Sequence, residues 1–244
     1  MQLESVGFNP FIILYYNFPQ GENMERLEDL NLMNLKIYQD DELYTFTSDS
    51  VLLSKFAKVK KHDTVADFCA GSGIVGFHLY GLNDALIDSV TLFEMQKPLY
   101  EMSVKSIKYN NLEQTFSAIN TKLQDIESSY NGKFSLIVCN PPYMPVGHGF
   151  TEEDIDIAVC RTEIMLSLKE LCAAISKCLK FGGRVCMCHR ADRLVEVITE
   201  LKNNNIEPKR LQFVCGAKKE PYLMLIEGVK GGKSGIKIEQ NVTN

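Results

Sequence analysis

The sequence predicts an α/β protein built on a doubly wound, mostly parallel sheet of seven strands, the last one antiparallel, with helices on both faces. Three observations carry this. From Thr64 onward, short apolar runs rich in β-formers alternate with stretches of helical length. The first run breaks into Ala70-Gly71-Ser72-Gly73, a sharp turn that opens an apolar helix. The last two runs are joined by Gly216-Ala217-Lys218-Lys219, a hairpin connection that reverses the chain. At 244 residues the chain buries a core without staples, roughly 70–75% of its unfolded surface at this size.

Taken in order, residues 1–23 show no helical period and contain Asn9-Pro10, Pro19 and Gly21. They read as an extension outside the core, with Met24 the alternative start. Residues 24–60 read as a hairpin and a helix. Leu35–Gln39 and Leu43–Phe46 alternate like two short strands about Asp40-Asp41, and Ser48-Asp49 caps a helix running to Phe56. Residues 61–244 hold the core. Thr64–Cys69 is its first strand and Ile74–Tyr80 its first helix; Ser89–Glu94 is a strand, Leu99–Tyr109 a helix ended by Asn110-Asn111, and Thr115–Asn120 a strand. Phe134–Cys139 is the fourth strand. A helix from about Ile164 to Leu179 stops at Phe181-Gly182-Gly183. Arg184–His189, a helix over Ala191–Asn203, then Arg210–Cys215 and Tyr222–Glu227 complete the sheet.

Composition narrows the function classes. No segment reaches the ~18–20 apolar residues of a membrane span, and the run Phe11–Tyr16 lacks a basic flank and a cleavage site. None of the eight cysteines forms a CxxC pair, and Cys186 and Cys188 share one strand face, which fits reduced core thiols of a cytoplasmic protein rather than a metal site. The net charge of −5 is uneven. Residues 1–176 carry 13 Lys and Arg against 24 Asp and Glu, net −11, whereas residues 177–244 carry 13 against 7, net +6. The C-terminal quarter is thus able to face phosphates, or is an ordinary solvated surface.

The chemistry gathers at Asn140-Pro141-Pro142-Tyr143, directly after the fourth strand. Two prolines force the chain out of the sheet as a stiff, extended loop. The Asn140 side-chain oxygen and the Pro141 carbonyl suit the two hydrogens of a planar exocyclic amine, and the Tyr143 ring suits stacking on its plane. The plain alternative is a proline turn closing a buried strand. Upstream, the glycine turn lets a ligand approach the backbone at a helix N-terminus. Glu94 ends the next strand about 20 residues later, where a carboxylate accepts both hydroxyls of a ribose; otherwise it is a solvated strand end. Asp125 stands where an acid meets an adenine amino group, or serves as a helix cap.

Together, Asp67-x-x-x-Gly71-x-Gly73, Glu94, Asp125 and Asn140-Pro-Pro-Tyr143 resemble a Rossmann-like class I S-adenosylmethionine methyltransferase acting on amino groups. The segments 46–53, 160–163, 189–194, 208–211 and 229–233 extend the likeness, which spans about residues 25–240, to the bacterial tRNA1(Val) adenine-37 N6-methyltransferase family. That resemblance implies transfer of methyl from S-adenosylmethionine to the N6 amino group of adenine 37 in the anticodon loop of valine tRNA. It assigns the cofactor to Asp67, Ala70, Gly71, Gly73, Glu94, Met95, Asp125, Ile126 and Asn140, and catalysis to Asn140, Pro141, Pro142 and Tyr143. The RNA falls to Arg161, Arg190, Lys209, Arg210, Lys230 and Lys233, the last five together with Arg193, Lys218 and Lys219 expected around the pocket mouth. Arg161 reaches a phosphate or pairs with Glu163. A monomer without metal or membrane is expected. The chain departs from the pattern at Cys69, where the family has a glycine, and at Ala191, where it has a proline. The rival readings are a protein glutamine N5-methyltransferase, a DNA or ribosomal RNA adenine methyltransferase, a nicotinamide dehydrogenase and a nucleotide-binding module without chemistry.

Overall fold

A computed structural model describes residues 25–40, 43, 48–142, 166–217 and 219–243. Strands β3 (Asp63–Phe68), β4 (Ile87–Glu94), β5 (Phe116–Asn120), β6 (Phe134–Cys139), β7 (Leu179–Arg190), β8 (Ile206–Cys215) and β9 (Pro221–Lys230) form the main sheet, with two-residue strands β10 (Lys237–Ile238) and β11 (Val242–Thr243) added beside β8. The order is β10-β8-β9-β7-β6-β3-β4-β5, and only β9 runs antiparallel to its neighbours. The expected seven-stranded sheet is therefore present. Its antiparallel strand lies between β7 and β8, and the two short strands lengthen the edge beyond what was expected.

Side chains alternate across this sheet with period two. Val185 and Met187 of β7 and Met224 and Ile226 of β9 enter one core with Leu171 and Ile175 of α4 (Leu168–Cys178) and Val197 and Leu201 of α5 (Leu194–Asn203). Cys186, Cys188, Leu223 and Leu225 enter the other, with Leu53 and Phe56 of α1 (Ser48–Phe56), Phe77 and Leu79 of α2 (Ile74–Asn83) and Ile107 of α3 (Lys97–Tyr109). The seven described cysteines are all unpaired. No helix among the described residues is long and apolar enough to cross a membrane.

Three boundaries differ from the sequence reading for physical reasons. Strand β7 begins five residues early, at Leu179. Phe134 pairs with Leu179 and Leu136 with Arg184, so the intervening residues bulge out instead of ending a helix. Strand β8 begins at Ile206 because Pro208, which lacks an N–H, is absorbed by a register shift against β9. The N-terminal hairpin pairs β1 (Glu25–Asp29) with β2 (Lys36–Asp40). The partner expected for residues 35–39 was 43–46, of which 44–46, like residues 1–23, lie outside the described residues.

The hairpin is fastened to α3 through side chains. Asn110 accepts from the Lys36 amide at 3.0 Å and donates to its carbonyl at 2.7 Å, and the Ser106 hydroxyl accepts from the Tyr38 amide at 2.9 Å. The outer backbone groups of β2 are thereby satisfied without another strand.

Candidate active site

Parallel strands that leave in opposite directions from β3 and β6 open a crevice at their carboxyl ends. There the chain forms a cleft open to solvent, spanning about 790 Å³ when the open space at its mouth is counted. Its walls come from the turn after β3, from Glu94, Met95 and Gln96 after β4, from Thr121, Leu123 and Gln124 after β5, and from Asn140 and Pro142 after β6. Ser50 of α1 and Leu166, just before α4, complete it.

The turn after β3 holds three residues in left-handed backbone: Cys69 at φ 57°, Gly71 at 57° and Gly73 at 95°. Cys69 thus adopts the conformation for which a glycine is ordinarily chosen, which explains how the loop survives that departure. The two glycines do different work. A Cβ at Gly71 would meet nothing within 4 Å, since that backbone faces the open cleft. A Cβ at Gly73 would come within 2.9 Å of Leu92 and 3.0 Å of Phe77, so Gly73 permits the close approach of α2 to β4. Gly73 does not line the cleft; Cys69, Ala70, Gly71 and Ser72 do.

Glu94 joins this loop to the end of β4. Its Oε2 accepts from the Gly71 amide at 2.8 Å and its Oε1 from the Gln96 amide at 2.8 Å. Burial raises its pKa, and the amides of Gln96, Gly71 and Met95 act against that rise. Three amides thus occupy all but about one of the carboxylate's roughly four lone-pair sites.

Asp67 lies beneath the loop rather than in the wall. It is fully buried, its Oδ2 accepts from the Gly76 amide at 2.8 Å, and its Oδ1 has no hydrogen-bond partner among the described residues. Burial pushes its pKa up to about 8; the Gly76 amide opposes this and the charge of Glu94 adds to it. Asp67 therefore shapes the loop from below. Asp125 is exposed in a 3-10 turn and Ile126 sits in the core, so neither lines the cleft; Thr121, Leu123 and Gln124 take that place. A short turn puts residues one position apart on different sides, which spacing alone does not resolve.

Asn140 points into the cleft with both ends of its amide engaged. Nδ2 donates to Ser50 Oγ at 2.9 Å, and Oδ1 accepts from Cys188 Sγ at 2.8 Å. Pro142 lines the cleft and Pro141 is buried beside it. Tyr143 and Arg161 lie outside the described residues. Ser50 and Cys188 had no signal in spacing, being 90 and 48 residues from Asn140. Ser50 did fall in the segment 46–53 that carries the family resemblance.

The basic residues divide by position. Arg190 ends β7 on the cleft side, and its guanidinium pairs with Asp192. Lys209, Lys230 and Lys233 instead belong to the opposite, amino end of the sheet, because β8 enters there and the antiparallel β9 leaves there. Lys209 donates to the Lys233 carbonyl at 2.9 Å and Lys230 to the Leu179 carbonyl at 3.0 Å. Arg210 is buried at mid-strand. It pairs with Glu227 at 3.2 Å and Glu239 at 3.5 Å, donates to the Phe56 carbonyl at 2.6 Å and lies 4.2 Å over the Phe56 ring. The expectation that these four residues surround the cleft mouth is thus corrected: strand direction carries three to the far edge, and a buried network consumes the fourth.

Comparison with known proteins fits this geometry. Residues 45–158 match the methyltransferase small domain. Over 172 residues the chain is 28% identical to the tRNA1(Val) (adenine(37)-N6)-methyltransferase of Shewanella putrefaciens, covering 69% of this chain and 67% of that protein. It is also 32% identical over 116 residues to the release factor glutamine methyltransferase of Mycoplasma mycoides, covering 48% of this chain and 39% of that one. Among solved structures, a predicted O-methyltransferase from Agrobacterium tumefaciens superposes with a TM-score of 0.63 at 15% identity, over 80% of this chain and 86% of that one. The M. jannaschii TYW2 structure in complex with AdoMet gives 0.60 at 12% identity, over 87% and 89%.

Proposed function

We propose that the chain is a class I methyltransferase, a reading that its match to the methyltransferase small domain over residues 45–158 supports, and that it transfers a methyl group from S-adenosylmethionine to the N6 amino group of an unpaired adenine in RNA, namely adenine 37 of valine tRNA. The carrying observation is Asn140, whose amide stands in the wall of the same cleft as the glycine turn and Glu94.

The residues present fit the cofactor. Gly71 leaves open space where any side chain would intrude, and the Glu94 carboxylate stands in the cleft wall with acceptor capacity left for a ribose hydroxyl. Thr121, Leu123 and Gln124 offer a mixed polar and apolar wall for a purine. When bound, S-adenosylmethionine supplies an electrophilic methyl group on sulfur.

The chain's own part is positioning and charge. An exocyclic amine delocalises its lone pair into the ring. Accepting one hydrogen on Asn140 Oδ1 and the other on the Pro141 carbonyl favours a more tetrahedral nitrogen, with its lone pair turned toward the methyl group. The same acceptors stabilise the positive charge that develops on nitrogen. Tyr143 supplies the stacking face. An anticodon-loop adenine is unpaired, so extracting it costs only a few kcal/mol. Arg190, on the cleft side, is the phosphate contact of this reading.

The test compares transfer of labelled methyl to bulk tRNA, to DNA and to release factor, followed by mass spectrometry of the labelled nucleoside. N6-methyladenosine at position 37 of valine tRNA is expected. Asn140→Ala should lower the single-turnover rate about 10²–10³-fold, the usual cost of a lost transition-state hydrogen bond, while S-adenosylmethionine affinity stays constant. Near wild-type turnover in that variant overturns the amine-acceptor mechanism. The second reading, a glutamine N5-methyltransferase, has the M. mycoides likeness in its favour; labelled release factor with unlabelled tRNA would establish it.

A further inference from the structure

The amide of Asn140 has to present oxygen, not its NH2 group, to the target amine, because NH2 facing an amine N–H sets donor against donor. The two ends of an asparagine amide are nearly the same size, so shape alone does not choose between them. The surroundings of Asn140 contain a chemical choice. Ser50, in the first turn of α1, lines the cleft beside the amide and engages Nδ2 at 2.9 Å. Cys188, on β7 next to β6, lies fully buried and meets Oδ1 at 2.8 Å.

We propose that Ser50 and Cys188 are positioning residues that hold the Asn140 side chain by its two ends and keep its oxygen available to the amine. The proposal rests on the amine-acceptor reading of Asn140. A thiol offers a hydrogen to oxygen, whereas toward an NH2 group it offers only a weak sulfur lone pair. Burial and the neighbouring charge of Asp49 push the Cys188 thiol well above its ordinary pKa, so it stays protonated and remains a donor. The serine hydroxyl accepts as readily as it donates, and so takes the amide hydrogen that the thiol would hold poorly. Each contact uses one of two sites on its atom: Oδ1 keeps a lone pair and Nδ2 keeps a hydrogen. The free lone pair is the one that accepts from the substrate.

The clamp also ties chemistry to assembly. Its two jaws come from α1 and β7, which precede and follow β6 in the chain, so Asn140 is held only when β7 has paired with β6 and α1 has packed against β7.

Single-turnover rates with valine tRNA test this in Ser50→Ala, Cys188→Ala, Cys188→Ser and Asn140→Ala, and in the doubles Ser50→Ala/Asn140→Ala and Cys188→Ala/Asn140→Ala. Ser50→Ala and Cys188→Ala should each lower the rate at saturating tRNA about 5- to 50-fold, with S-adenosylmethionine affinity and KM for tRNA within about threefold of wild type, the loss expected for one hydrogen bond. Cys188→Ser retains a donor at that point and should recover most of what Cys188→Ala loses. In the Asn140→Ala background neither substitution should lower the rate further, because nothing is left to position. A merely structural role would lower the rate in both backgrounds and would not separate serine from alanine at 188. Equal losses with and without Asn140, or unchanged rates in the two single alanine variants, overturn the clamp. Wild-type turnover in Asn140→Ala removes the underlying reading instead, and the clamp with it. Should Cys188→Ala fail to fold, the Ser50→Ala cycle alone decides.

Discussion

At residue scale, the site stores cost in two places. Cys69 holds φ 57°, a conformation that disfavours any residue with a Cβ by about 1–2 kcal/mol. Cys69→Gly removes that penalty while loosening the unfolded chain, and the terms nearly cancel, so its stability should lie within about 1 kcal/mol of wild type. Cys69→Val adds β-branching at positive φ and should cost more than about 2 kcal/mol, read by urea denaturation. The second cost is Asp67, buried with one oxygen unpartnered. An unfolded aspartate ionises near 3.8, and this one near 8. Between those values the folded chain keeps a proton that the unfolded chain releases, so its contribution is complete below pH 3.8 and lost as pH rises to about 8. His78 and His189, whose burial pushes them down to about 4, act in the opposite sense and only below 6.5. Melting temperature should therefore fall from pH 6.5 to 8, and Asp67→Asn should flatten that fall; an unchanged slope would show the carboxyl already ionised.

At the scale of elements, the β1–β2 hairpin shows how a two-stranded ribbon, marginal alone, is kept in place. Ile37 and Gln39 alternate inward from β2, and Gln39 Nε2 reaches the Ser72 hydroxyl in the glycine turn. The outward backbone of β2 is held by Ser106 on α3 and by Asn110, which caps that helix. The hairpin is thereby joined to the glycine turn on one side and to α3 on the other. Asn110→Ala leaves the Lys36 amide and carbonyl without their partner and should cost about 1–3 kcal/mol. Faster hydrogen exchange confined to β2 is the expected signature, and uniform protection would mean that the hairpin is held by packing alone.

At the scale of the molecule, strand direction decides which cations can serve a substrate bound at the cleft. Lys209 and Lys233 lie at the amino end of the sheet, so Lys209→Gln/Lys233→Gln should leave the tRNA dissociation constant and its salt slope unchanged. A reduced slope would locate RNA on that edge. Arg210 serves the fold instead, tying β8 to Glu227, Glu239 and the end of α1. Arg210→Gln leaves a buried carboxylate without its ion partner and should destabilise by about 3–5 kcal/mol, seen as a lower denaturation midpoint rather than a change in RNA affinity.

Period-two and helical patterns determined much of this protein unaided. The alternation in β7 and β9, the turn after β3, the acid ending β4 and the proline loop ending β6 are local signals, because burial and turn chemistry act on neighbours in the chain. Tertiary structure alone decided which residues meet. That Asn140 lies between Ser50 and Cys188, that Gln124 rather than Asp125 faces the cleft, and that the lysines of β8 and β9 lie at its far end follow from strand order, strand direction and register. Those depend on how separate elements pack against one another across the core, and no spacing within a single element records them.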